Sequence, residues 1–96
     1  MLTGKQKRFL RSKAHHLKPI FQVGKIGVNE NMIVQVNEAL EKRELIKVSI
    51  LQNCMDDKDT VAEELAEGTG AEIVQLIGNN IVLYKESEEH KQIQLP

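Results

Sequence analysis

The sequence predicts an α/β two-layer sandwich, with elements in the order α-β-α-β-α-β-β around a mixed four-stranded sheet. Three observations predict it. Apolar residues recur at helical spacing in three stretches, near 3–17, 29–43 and 56–67. Strand-forming residues alternate or run together over 20–23, 45–50, 71–77 and 81–85. Only Gly78-Asn79-Asn80 separates the last two strands, and these residues readily take positive φ in a tight hairpin. Helical crossovers give parallel pairs and a hairpin gives an antiparallel one, so the sheet is mixed and its strand order stays open.

The first helix starts at Thr3, with Gln6 three residues on completing a capping-box pattern. At 100° per residue Leu10, Ala14 and Leu17 form an apolar stripe, while Lys7, Arg8, Arg11 and His15 share another face. Pro19 is expected to end this helix and to push Lys18 toward extended geometry, opening a strand through Ile20, Phe21, Gln22 and Val23. The loop Gly24-Lys25-Ile26-Gly27 follows, and Asn29 is placed to cap a second helix running to Arg43. Met32, Ile33, Val36, Ala39 and Leu40 are its inward stripe. In the strand Leu45–Ile50, Ile46, Val48 and Ile50 alternate with Leu45, Lys47 and Ser49. A third helix is expected over Asp56–Glu67, with Asp56, Asp57 and Asp59 favouring its positive end and Gly68 as C-cap. The run Ile73, Val74, Leu76, Ile77 suggests a strand covered on both faces. Beyond Lys85 the chain turns acidic, and Ile93 and Leu95 are expected to pack back onto the sheet edge.

With 96 residues the whole chain, 1–96, fits one small domain, of which 86–96 is an acidic C-terminal tail. A 41% apolar and 28% charged composition is that of an ordinary globular protein. No apolar run approaches membrane-spanning length, and the start of the chain is too polar for a secretory signal. The lone cysteine, Cys54, cannot form an internal disulfide, so a reducing, cytoplasmic setting is expected. A monomer without membrane or small-molecule partners is the simplest expectation.

Net charge is −1, yet the distribution is uneven. Lys5, Lys7, Arg8, Arg11, Lys13, Lys18 and Lys25 all precede Glu30, the first acid, leaving six of the thirteen basic residues against all fourteen acids in the rest. A polyanion meets the local field, because exposed charges beyond a Debye length of about 8 Å are largely screened. A glycine-bracketed loop opening a helix adds bare main-chain N–H groups at the positive end of the helix, where a phosphate can approach closely.

Other chemistry finds little support. His15 and His16 are adjacent and point about 100° apart on a helix, His90 lies in the tail, and no Cys/His spacing suits a metal, so no cofactor is expected. The aspartates at 56, 57 and 59 lack the glycine and distal glutamate of a calcium loop. Ser12, Ser49, Ser87 and Cys54 carry no nucleophile signature, and the glycine spacing fits neither a Walker loop nor a dinucleotide motif, so no enzyme is expected. Phe9, Phe21 and Tyr84 are too few for base stacking across a sheet, which leaves backbone recognition by cations.

Four segments resemble the bacterial YhbY family, a stand-alone CRM domain: Leu10-Arg-Ser-Lys-Ala-His-His-Leu-Lys-Pro19, Val23-Gly-Lys-Ile-Gly27, Ala39-Leu-Glu-Lys-Arg-Glu-Leu-Ile-Lys-Val48 and Gln75-Leu-Ile-Gly-Asn-Asn-Ile-Val-Leu-Tyr84. They occur in matching order over nearly the whole chain. The resemblance implies a fold similar to the C-terminal domain of translation initiation factor three, and RNA binding associated with maturation of the large ribosomal subunit; in plant organelles the same domain is implied in group II intron splicing. The family's Gly-x-x-Gly loop falls on Gly24, Lys25, Ile26 and Gly27, and its basic first helix on Lys7, Arg8 and Arg11.

The expected RNA-binding residues are thus Lys7, Arg8, Arg11, Lys18, Gly24, Lys25, Ile26, Gly27 and Asn29, with ribosomal RNA or pre-large-subunit particles as partner. Replacing Gly27 by Asp is expected to weaken binding without unfolding the domain. The alternative is a protein-interaction adapter whose basic helix docks an acidic ribosomal protein or factor.

Overall fold

The computed structural model describes residues 1–96, with α1 (Gly4–Ala14), β1 (Phe21–Val23), α2 (Glu30–Arg43), β2 (Leu45–Ile50), α3 (Lys58–Thr69), β3 (Glu72–Ile77) and β4 (Asn80–Tyr84). Each helix starts on a side chain that takes over an orphan N–H. Thr3 Oγ1 accepts from the Gln6 N–H at 3.1 Å while Gln6 Oε1 accepts from the Thr3 N–H at 3.0 Å. Asn29 caps α2 through the Met32 N–H at 2.9 Å, and Asp57 caps α3 through the Thr60 N–H at 2.8 Å.

The sheet is mixed, as expected, in the order β1-β2-β4-β3, with β1 parallel to β2 and the other pairs antiparallel. Alternation along the strands separates two cores. Ile46, Val48, Ile50, Ile81 and Leu83 face Val36, Leu40, Val61, Ala62 and Leu65 of α2 and α3, which makes the two-layer body. Leu45, Val82, Tyr84 and Val74 face the other way, onto Leu10 and Ala14 of α1. The stripe predicted for α1 is therefore buried, on the sheet face opposite α2 and α3.

Several boundaries differ from expectation, each for a local reason. α1 stops at Ala14, well before Pro19; the Leu17 N–H turns back to the Ala14 carbonyl at 2.9 Å, which tucks Leu17 against the smaller core. α3 is shifted two residues toward the C-terminus and ends on Gly70, whose φ of +78° is the left-handed conformation a C-cap needs. Gly68 lies inside α3, where Ile33 of α2 occupies the space a Cβ would take. β3, although a sheet edge, is covered on both faces as its apolar run suggests, with Ile73 and Leu76 against the α2/α3-side core and Val74 in the α1-side core, and β4 is buried throughout from Ile81 to Tyr84. The continuous apolar run of β3 marks a bulge: pairing with β4 slips between Ile73 and Gln75, so Val74 and Gln75 fall on the same face.

The C-terminal segment is held by two glutamates at the end of α2. Glu44 is fully buried, with φ +65°, and its carboxylate accepts from the N–H groups of Ser87 (2.8 Å), Gln92 (2.6 Å) and Ile93 (2.7 Å). Burial pushes this carboxyl up, but those three donors outweigh it, and the group lies below the ordinary carboxylate range. Glu41 accepts from the Glu88 and Glu89 N–H groups at 3.0 Å and from the Ser87 hydroxyl at 2.7 Å. The Glu88 N–H first, then the Ser87 hydroxyl and the Glu89 N–H, hold Glu41 down at about 2. Ile93 and Leu95 consequently pack onto the α1-side core.

Candidate nucleic-acid interface

β1 and β2 end together, since Val23 pairs with Ile50 and the Leu51 N–H donates to the Val23 carbonyl at 2.9 Å. Two loops therefore leave the same sheet end side by side. In the first, the Gly27 N–H donates to the Gly24 carbonyl at 3.0 Å and closes a turn around Lys25 and Ile26. Gly27 has φ +77°, and a Cβ there would lie only 3.0 Å from Asp56 Oδ2 of the second loop. A Cβ at Gly24 would meet Asn53 Oδ1 at 3.5 Å and Leu51 Cδ1 at 3.6 Å, ordinary contacts. The two glycines are thus unequal, and only Gly27 requires the absence of a side chain.

The N–H groups of Lys25, Ile26, Val28 and Asn29 have no main-chain acceptor, and they precede the positive end of α2. The Asn29 carboxamide oxygen is already committed to the cap. Lys25 is exposed in the turn, and Asp56, distant in sequence, brings an acid to the Gly27 side of it.

The second part of the surface is a groove between the end of α1 and the sheet, lined by Arg8, Arg11, His15 and His16 on one side and Lys47 and Gln75 on the other. Lys47 also borders a neighbouring hollow with Lys18 and Arg43. None of these lysines or arginines forms an ion pair; the ion pairs of the chain join Met1, His90 and Lys91 to Glu72, Glu41 and Glu86. Unpaired cations gathered on one face form an anion-attracting surface.

The groove connects to the loops along the sheet. Lys47 and Ser49 share one face of β2, and Ser49 pairs with Gln22 of β1, two residues before Gly24. One step along a strand and one across amount to about 12 Å of polar surface. Of the predicted residues, Arg8 and Arg11 come together in the groove and Lys18 sits in the adjoining hollow. Gly24, Lys25, Ile26 and Gly27 form the turn, and Asn29 caps α2. Lys7 is half-buried and lines neither hollow. Sequence reasoning missed Lys47, Arg43, Gln75 and Asp56. For Lys47 the signal was present: a cation in mid-strand, on the face opposite Ile46 and Val48.

The chain is 74% identical over 96 residues to the probable RNA-binding protein YqeI of Bacillus subtilis, covering all of both chains. It is 44% identical over 93 residues to the probable RNA-binding protein MJ0652 of Methanocaldococcus jannaschii, covering 95% of this chain and 69% of the archaeal one. The solution structure of SAV1595 from Staphylococcus aureus is similar over the full length of both chains, with a TM-score of 0.83 at 62% identity. The CRS1 / YhbY (CRM) domain matches residues 2–85, from the capping box of α1 to the end of β4, and the chain belongs to that family.

Proposed function

We propose that this protein binds RNA, specifically ribosomal RNA or its precursor in the maturing large ribosomal subunit, and does so without catalysing a reaction. The observation that carries the proposal is the joining of two anion-seeking features on one side of the sheet: the turn Gly24–Gly27 with its unpartnered N–H groups, and the ion-pair-free Arg8, Arg11 and Lys47. Phosphates provide charge for the cations and acceptor oxygens for the N–H groups, so one strand satisfies both. The names of the relatives support RNA as the polyanion. Lys18 and Lys25 extend the field to either side, and the protein acts as a monomer in the cytoplasm.

Salt-dependent titration of ribosomal RNA fragments tests the proposal. If Arg8, Arg11, Lys18, Lys25 and Lys47 each neutralise one phosphate, log K falls with log salt at a slope of about −3.5 for a single strand. A flat response overturns the reading, as does a complex with large-subunit precursors that survives complete nuclease digestion, which would assign the basic helix to a protein. Gly27→Asp is a poor probe of the loop, contrary to expectation, because positive φ and the Asp56 carboxylate both oppose any side chain there. Lys25→Glu, on an exposed side chain, is the clean one.

A further inference from the structure

The loops beside the cationic surface also carry apolar side chains in the open. Ile26 and Met55 are each 84% exposed, and Leu51, which reaches Gly24, is 39% exposed. Gly24 lies against Asn53 and Gly27 against Asp56, so both loops advance three residues between two contacts in the same direction. Ile26 and Met55 occupy equivalent positions between those contacts. Two large apolar residues thus stand on one shoulder of the molecule, next to the unpartnered N–H groups and Lys25.

We infer that this shoulder is a seat for unpaired nucleobases, so that the RNA bound at the Gly24–Gly27 turn is single-stranded there. The inference rests on the RNA-binding reading above and adds the class of RNA. A single strand offers alternating anionic phosphates and flat, poorly hydrated base faces, which is the same alternation that the turn offers in complementary form. A duplex hides its base faces in the stack and would leave Ile26 and Met55 facing water or charge. The patch is a few side chains on two loops, far short of the roughly 800 Å² per partner of a standard protein interface. With no aromatic residue on this shoulder, the seat is aliphatic and thioether, tolerant of base identity, and polarizable at Met55.

Titrations with a short unstructured RNA and with a blunt duplex of the same sequence, each at several salt concentrations, test the inference on the full chain. The wild type is expected to bind the single strand more tightly. The double variant Ile26→Ser/Met55→Ser, at two exposed sites that the fold does not depend on, is expected to lose about tenfold in single-strand affinity while its salt slope and duplex affinity stay unchanged. A double variant matching the wild type on the single strand, while Arg8→Glu/Arg11→Glu still weakens binding, overturns the base seat and leaves the RNA-binding reading standing. Absence of RNA binding by the wild type overturns both. A double variant that keeps both RNA affinities but loses a co-purifying protein assigns the shoulder to that protein and likewise overturns the inference.

Discussion

The two ends of α2 handle main-chain N–H groups in opposite ways. Past its C-terminal end, the N–H groups of Ser87, Glu88, Glu89, Gln92 and Ile93 all donate to the carboxylates of Glu41 and Glu44. Before its N-terminal end, those of Lys25, Ile26, Val28 and Asn29 find no main-chain acceptor. At one end the chain supplies its own anions and the result is structure. At the other the donors stay open beside cations, and an outside anion can complete them. The internal arrangement works against the helix dipole, which disfavours carboxylates at a C-terminus, so the five N–H bonds must offset both that and the burial of Glu44.

Removing the internal anion should have the largest effect. Glu44→Ala leaves one buried and two part-buried donors without an acceptor, and denaturant unfolding is expected to show a loss of about 3 kcal/mol, with residues 86–96 becoming the first site of proteolysis. Glu44→Gly loses the same acceptors but suits the φ of +65°, and should recover about 1 kcal/mol of that loss. Reversing the external cations comes next. Arg8→Glu/Arg11→Glu should lower RNA affinity by about a hundredfold at low salt, since two phosphate contacts become two repulsions, with the unfolding midpoint unchanged. Removing the acid beside the open donors should act in the other direction: Asp56→Asn is expected to tighten RNA binding by about threefold, an effect that shrinks as salt is raised.

The smallest effect is a pH dependence confined to the C-terminal segment. Glu41 has its carboxyl at about 2 when folded, below its ordinary 4.5. A lowered value means that the contribution is fully present above 4.5 and is lost as the pH falls from there through 2. The amide signals of Glu88 and Glu89 should shift across that window while those of the sheet do not. Uniform acid broadening of all amides would count against a local clamp.

Much of this was legible in the residues. The capping residues Thr3 and Asn29, the strand Leu45–Ile50 and the Gly78 turn follow from local rules that need only neighbours within about four positions. The turn Gly24–Gly27 and the basic face of α1 were legible for the same reason. What escaped depended on residues distant in sequence. Gly68 read as a C-cap because nothing local reveals that Ile33 would lie over it. Asp56 read as part of a helix start, and its approach to Gly27 exists only because β1 and β2 end together. Glu44, between the expected end of the second helix and the strand at Leu45, carried no local signal, since a buried glutamate at positive φ is intelligible only once Ser87, Gln92 and Ile93 of the tail donate to its carboxylate.

By itself the sequence determined the elements, the segregation of basic residues ahead of Glu30 and the existence of a glycine turn, because periodicity, charge order and φ preference are properties of short stretches. Tertiary structure alone decided which cations meet, which end of α2 is filled from within, and which loops stand side by side. Those outcomes depend on strand order and register, and register sets which side chain faces which across residues far apart in the chain.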